Sequence, residues 1–105
     1  MKWLMTILMT LAATLSWAGQ WALIDVRTSG EYERSHIPGA VHIPYDEMAR
    51  KIGDLGLAKN DEILLYCRSG RRADVALGIL QEMGYTNVRN LGGEAEASAY
   101  FEKRQ

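Results

Sequence analysis

The chain has 105 residues, 12 Lys and Arg against 13 Asp and Glu, and an apolar fraction of 48%. That length gives one small domain, the apolar share is too high for a disordered chain, and a near-neutral balance excludes the basic field of a nucleic-acid-binding surface. The single cysteine, Cys67, excludes an internal disulfide framework and a Cys-x-x-Cys redox pair.

Residues 1–18 read as a signal peptide, and residues 19–105 as the domain. Lys2 follows the charged amino terminus, Trp3 to Leu15 is rich in Leu, Met, Ile and Ala, and Ser16-Trp17-Ala18 offers small residues for a cut after Ala18. An uncleaved anchor is the alternative, because no charge appears from Trp3 through Ile24. Thr6, Thr10, Thr14, Gly19 and Gln20 dilute that stretch, so cleavage and a periplasmic location are expected. The mature chain is then free of the membrane.

Ala22 to Val26 is a short apolar run that reads as a buried first strand. Thr28 or Ser29 can cap a helix whose first turn carries Glu31 and Glu33. Ile37-Pro38-Gly39 stops it. Val41 to Ile43 is a second strand, closed by Pro44, and Asp46 is expected to cap a helix to about Ile52. Residues 53–61, GDLGLAKND, read as a loop. Ile63 to Tyr66 is the most apolar strand. Ala73, Ala76, Leu77, Leu80 and Met83 then form the stripe of an amphipathic helix, ended by Gly84. Val88 to Leu91 is a fourth strand, Gly92-Gly93 a turn, and Glu94 to Lys103 a last helix. Strands alternating with helices give an α/β domain, a parallel sheet of about four strands with helices on both faces. Ligands bind such sheets beyond the carboxyl ends of strands, which is where Cys67 falls.

The segment YCRSGRRA, Tyr66 to Ala73, places that cysteine beside Arg68, Arg71 and Arg72. Gly70 allows a tight turn, the helix starting near Arg72 turns free N–H groups towards the loop, and successive loop amides can form an anion cradle. Every feature favours negative charge at the centre, so the thiolate is expected there, poised to attack an anion. A buried inert cysteine is the plainer reading of the strand alone, but it does not account for three arginines and a glycine within five residues. A small cysteine phosphatase or arsenate reductase is the rival enzyme. Its loop is one residue longer than the four residues between Cys67 and Arg72, and Tyr66 stands where it usually has His. The shorter loop suits a sulfur carried on cysteine better than a phosphate. A non-catalytic sulfur-carrier or redox-sensing module is the third reading.

Taken with LIDVR (Leu23–Arg27), EYERSHIPGAVHIP (Glu31–Pro44) and NLGG (Asn90–Gly93), the loop resembles the rhodanese family of sulfurtransferases, and the export signal its small single-domain exported type. The resemblance implies a rhodanese-like fold and a thiosulfate sulfurtransferase in which Cys67 takes up sulfur as a persulfide and passes it to cyanide or a thiol. It implies that Arg68, Ser69, Gly70, Arg71 and Arg72 bind the anionic donor, that no metal or organic cofactor takes part, and that the chain acts as a monomer. Ser35 stands where the family commonly has Gly, and Ala97 where a Trp is frequent. The near absence of chain before the first strand suggests a trimmed sheet and a more open site.

Among other residues, Asp25 and Arg27 read as a structural ion pair, with Glu31 as a third member. His36 reads as a loop-packing residue rather than a base, and His42 as a strand-face residue. Tyr45, Tyr66 and Tyr85 read as packing groups, and Glu94 and Glu96 as a solvated helix face.

Overall fold

The computed structural model describes residues 20–104; the segment read as a signal peptide lies outside them. Four strands form one parallel sheet: β1 (Trp21–Asp25), β2 (Val41–His42), β3 (Glu62–Cys67) and β4 (Val88–Gly93), in the order β2-β1-β3-β4. The helices are α1 (Ser29–Arg34), α2 (Met48–Lys51), α3 (Arg71–Glu82) and α4 (Glu94–Arg104).

The two most apolar runs, β1 and β3, pair at the centre. Successive side chains of a strand point to opposite faces, and both faces here are covered. Ile24, Ile63, Leu65 and Cys67 pack on one side with Met48 and Ile52 and with Ala73, Ala76 and Leu80 of α3. Leu23, Leu64 and Tyr66 pack on the other with Ile37, Ala40 and Ala97, joined by Tyr100 and Phe101 of α4. The expected four-stranded sheet with helices on both faces is therefore present.

Local chemistry sets the helix ends. Thr28 caps α1 in a reciprocal box with Glu31. At the end of α3, Gly84 adopts φ +101° and its N–H reaches the Gln81 carbonyl, while Tyr85 N–H returns to Leu80 O. That double bond is the expected glycine stop.

Three local expectations change. Asp46 does not cap a helix: a 3-10 turn runs from Tyr45 to Glu47 after Pro44, with no side-chain cap. Residues 53–61 are not wholly loop, because a second 3-10 turn, Ile52–Leu55, carries Ile52 into the core before Gly56 closes it at φ +67°. Gly92 and Gly93 are the last residues of β4 rather than a turn.

Candidate active site

Cys67 is the last residue of β3 and is fully buried. The pairing of β3 with β4 shifts register between Leu65 and Cys67, which brings Cys67 opposite Gly93. The chain then turns at Gly70, whose φ of +92° a side chain would resist, and whose N–H donates to Cys67 Sγ at 2.9 Å. Helix α3 opens at the next residue, and the N–H groups of Arg71 and Arg72 have no acceptor among the described residues. The sulfur thus lies beside the start of α3, bonded by the Gly70 amide.

Asn90 fixes this turn to the sheet. Its Nδ2 donates to Gly70 O and to Asp74 Oδ1, both at 2.8 Å, and its Oδ1 accepts from Gly92 N–H at 2.8 Å. Gly93 allows the closest approach of all. A Cβ there would stand 2.6 Å from Arg68 O and 2.7 Å from Glu96 Oε1. The expected openness is therefore absent at the sulfur itself.

The arginines divide into two sets. Arg72 is gripped by Glu31 at 2.9 and 3.1 Å, which keeps its guanidinium charged and pulls the Glu31 carboxyl down to about 2. Arg27, 6% exposed, donates to Asp25 through Nε and Nη2, to Ser35 O at 2.6 Å and to Glu94 Oε1 at 3.3 Å. The Asp25 carboxylate raises the Arg27 pKa further against the opposing effect of burial. Arg68 and Arg71 are exposed and carry no ion pair among the described residues.

The expected site residues do not ring one cavity. Arg68 lines a cavity of about 480 Å3 with Arg27, Glu31, Arg34, Ser35 and the first turn of α4. Ser69, Gly70 and Arg71 line another, of about 370 Å3, with Asp74, Asn90 and Gly92. The loop runs between them, and Arg72 is turned to Glu31.

Two secondary readings change, the third member of the Asp25–Arg27 pair and the solvated face of α4, while the packing readings of Tyr66 and the histidines stand. Asp25 and Arg27 do form an ion pair, but the third member is Glu94; Glu31 is committed to Arg72. Glu94 and Glu96 are not a plain solvated face. Glu94 accepts from Arg27 and from Ser35 Oγ, and Glu96 accepts from Gly93 N–H at 3.0 Å. Tyr66 is buried, its hydroxyl accepts from Ile37 N–H, and burial pushes its pKa up. His36 and His42 stack on either side of Tyr32 and bond carbonyl oxygens; neither lines the two cavities. The residues that sequence reasoning missed are Asn90, Glu94 and the Glu31–Arg72 link. Asn90 lay in the NLGG motif and carried a signal; Glu94 lay in an ordinary acidic first turn and did not.

The protein is an α/β domain with a four-stranded parallel sheet and a cysteine at the carboxyl end of a central strand, just before a helix. The chain belongs to the rhodanese-like sulfurtransferase family: the Rhodanese-like domain model matches residues 9–97. It is 44% identical over 70 residues to thiosulfate sulfurtransferase PspE of Escherichia coli, covering 67% of each chain. It is 42% identical over 69 residues to the putative sulfur carrier protein YrkF of Bacillus subtilis, covering 66% of this chain and 36% of that one. A solved E. coli rhodanese with anions superposes with a TM-score of 0.70 at 40% identity, over 73% of this chain and 91% of that one.

Proposed function

We propose that the chain is a thiosulfate sulfurtransferase with Cys67 as nucleophile. The observation that carries this reading is the Gly70 N–H aimed at Cys67 Sγ from the turn that opens α3. The Gly70 amide, the start of α3 and the nearby Arg72 charge together suit this loop to holding an anion. The thiosulfate sulfurtransferase named among the relatives and the anions in the related rhodanese structure support the same chemistry.

In this reading the donor enters through the cavity beside Arg68. The Cys67 thiolate attacks the outer sulfur of thiosulfate. A sulfur–sulfur bond forms on Cys67, the bond to the sulfonate sulfur breaks, and its electron pair leaves with sulfite. Cys67 is left as an anionic persulfide under the loop amides. Cyanide, or a thiolate in the cell, then attacks the outer sulfur and restores the Cys67 thiolate. Arg68, Ser69, Gly70, Arg71 and Arg72 supply the positive potential and amides for both anions. No step calls for a metal, and export by residues 1–18 would place the reaction in the periplasm.

The test is thiocyanate formation from thiosulfate and cyanide, with sulfite release followed in parallel. Wild type is expected to turn over and Cys67→Ser to be inactive. Phosphate release from a chromogenic ester with no thiocyanate would overturn the reading. Similarity to a putative sulfur carrier favours one second reading, a carrier that loads once; one equivalent of sulfite without turnover would select it.

A further inference from the structure

Arg72, whose charge reaches Cys67, is already occupied by an acid. Arg72 meets Glu31 through both nitrogens of its fork, Nη1 to Oε1 at 2.9 Å and Nη2 to Oε2 at 3.1 Å. Their side chains are 26% and 17% exposed. Glu31 is no loose surface acid. Its Oε1 also accepts from Thr28 N–H at 2.9 Å and Thr28 Oγ1 at 3.1 Å, so its rotamer is set before Arg72 arrives. Fixing one partner in advance removes much of the entropy cost that makes most surface pairs weak. The helix that presents it, α1, buries none of its residues. Its defined contacts include a capping box and a hand on the first turn of α3.

The chemistry of the proposed reaction gives this pairing a purpose. Donor and leaving product, thiosulfate and sulfite, are both doubly charged anions. An unrestrained arginine beside the sulfur would tighten both alike, and binding that is equal for substrate and product does not speed turnover.

We propose that Glu31 is a positioning residue that holds Arg72 back from the anion site, so that sulfite escapes after sulfur transfer. This rests on the sulfurtransferase reading. Glu31 leaves Arg72 charged near the sulfur, yet with both fork nitrogens committed. The anion then meets amides and the exposed Arg68 instead of a second fixed fork. The donor site is tuned to moderate affinity by an acid from a separate helix.

The experiment measures sulfite binding by calorimetry to Cys67→Ser protein, which needs no turnover, together with sulfite product inhibition of the active enzyme. Glu31→Gln is expected to tighten sulfite about three- to tenfold, the gain of one hydrogen bond to the anion from the freed Arg72 fork. The KM for thiosulfate should fall in step, with kcat held down by slow release. In an Arg72→Ala background the same substitution should leave sulfite affinity nearly unchanged, because the effect acts through Arg72. Unchanged or weaker sulfite binding overturns the proposal, as does no measurable binding in either protein. Equal tightening in both backgrounds also overturns it, since Glu31 would then act on the anion directly. If Glu31→Gln does not fold, Arg72→Lys serves instead; it keeps the charge but cannot make the two-point grip, and it should also tighten sulfite. A wild type that takes no sulfur from thiosulfate, with Glu31→Gln still tightening sulfite, would sink the sulfurtransferase reading and leave the role of Glu31 standing.

Discussion

Arg27 is a charge almost sealed inside the domain, and its neighbours show how that is tolerated. Asp25 lies two residues back on the same strand end and takes Nε, Nη2 and the Arg27 backbone N–H. Ser35 O accepts a second bond from Nη2, and Glu94 accepts one from Nη1. Removing one partner of such a pair leaves an uncompensated buried charge, at a cost of about 3–5 kcal/mol. Asp25→Ala should therefore lower unfolding free energy by that amount in denaturant titrations. A loss under about 1 kcal/mol would mean that Arg27 simply turns out to solvent. The Asp25–Arg27 pair is legible in the sequence because the two share a strand end. Glu94 is not, since it stands 67 residues away and only the β4–α4 junction brings it near. Glu31 was placed with the wrong arginine for a related reason. Its capping role is local and readable, whereas its reach to Arg72 depends on how α1 sits beside α3.

At the scale of elements, the site is a contact between the turn before α3 and the end of β4. Asn90 and Gly92 hold the turn by side chain and backbone, and Gly93 gives it room. Gly93→Ala would drive a methyl into Arg68 O, a backbone atom with nowhere to yield. Overpacking of this kind costs about 1–3 kcal/mol, and here the strain falls on the residue that follows Cys67. The variant should melt several degrees lower and lose most of its sulfur transfer. Unchanged activity at wild-type stability would show that the loop is not braced by β4. The Gly-Gly pair was visible as a special position, but a turn and a close strand approach ask for the same residue. Sequence alone does not separate them. The 3-10 turn at Ile52–Leu55 was hidden likewise, because a single buried Ile52 in a Gly-rich stretch sets no period.

For the whole molecule, alternation along two central strands determines both faces of the sheet, and that much follows from the sequence. Acid stability follows from where the carboxylates went. Arg72 and the Thr28 cap hold Glu31 at about 2, below an unfolded value of ~4.3. A depressed carboxyl contributes stability above the unfolded value and loses it as pH falls towards the folded one. Melting temperature should stay level from neutral pH to about pH 5 and fall between about pH 4 and 2. Glu31→Gln should flatten part of that fall; an identical profile would mean the pair contributes nothing.

The central claim is that the turn at the end of β3 makes Cys67 a sulfur-accepting nucleophile. Intact mass after incubation with thiosulfate tests it most directly. The wild-type chain should gain the mass of one sulfur atom, lose it again to a reducing thiol, and gain nothing when Cys67 is replaced by Ser. A wild-type mass left unchanged by excess thiosulfate, in protein shown to be folded, would contradict the account.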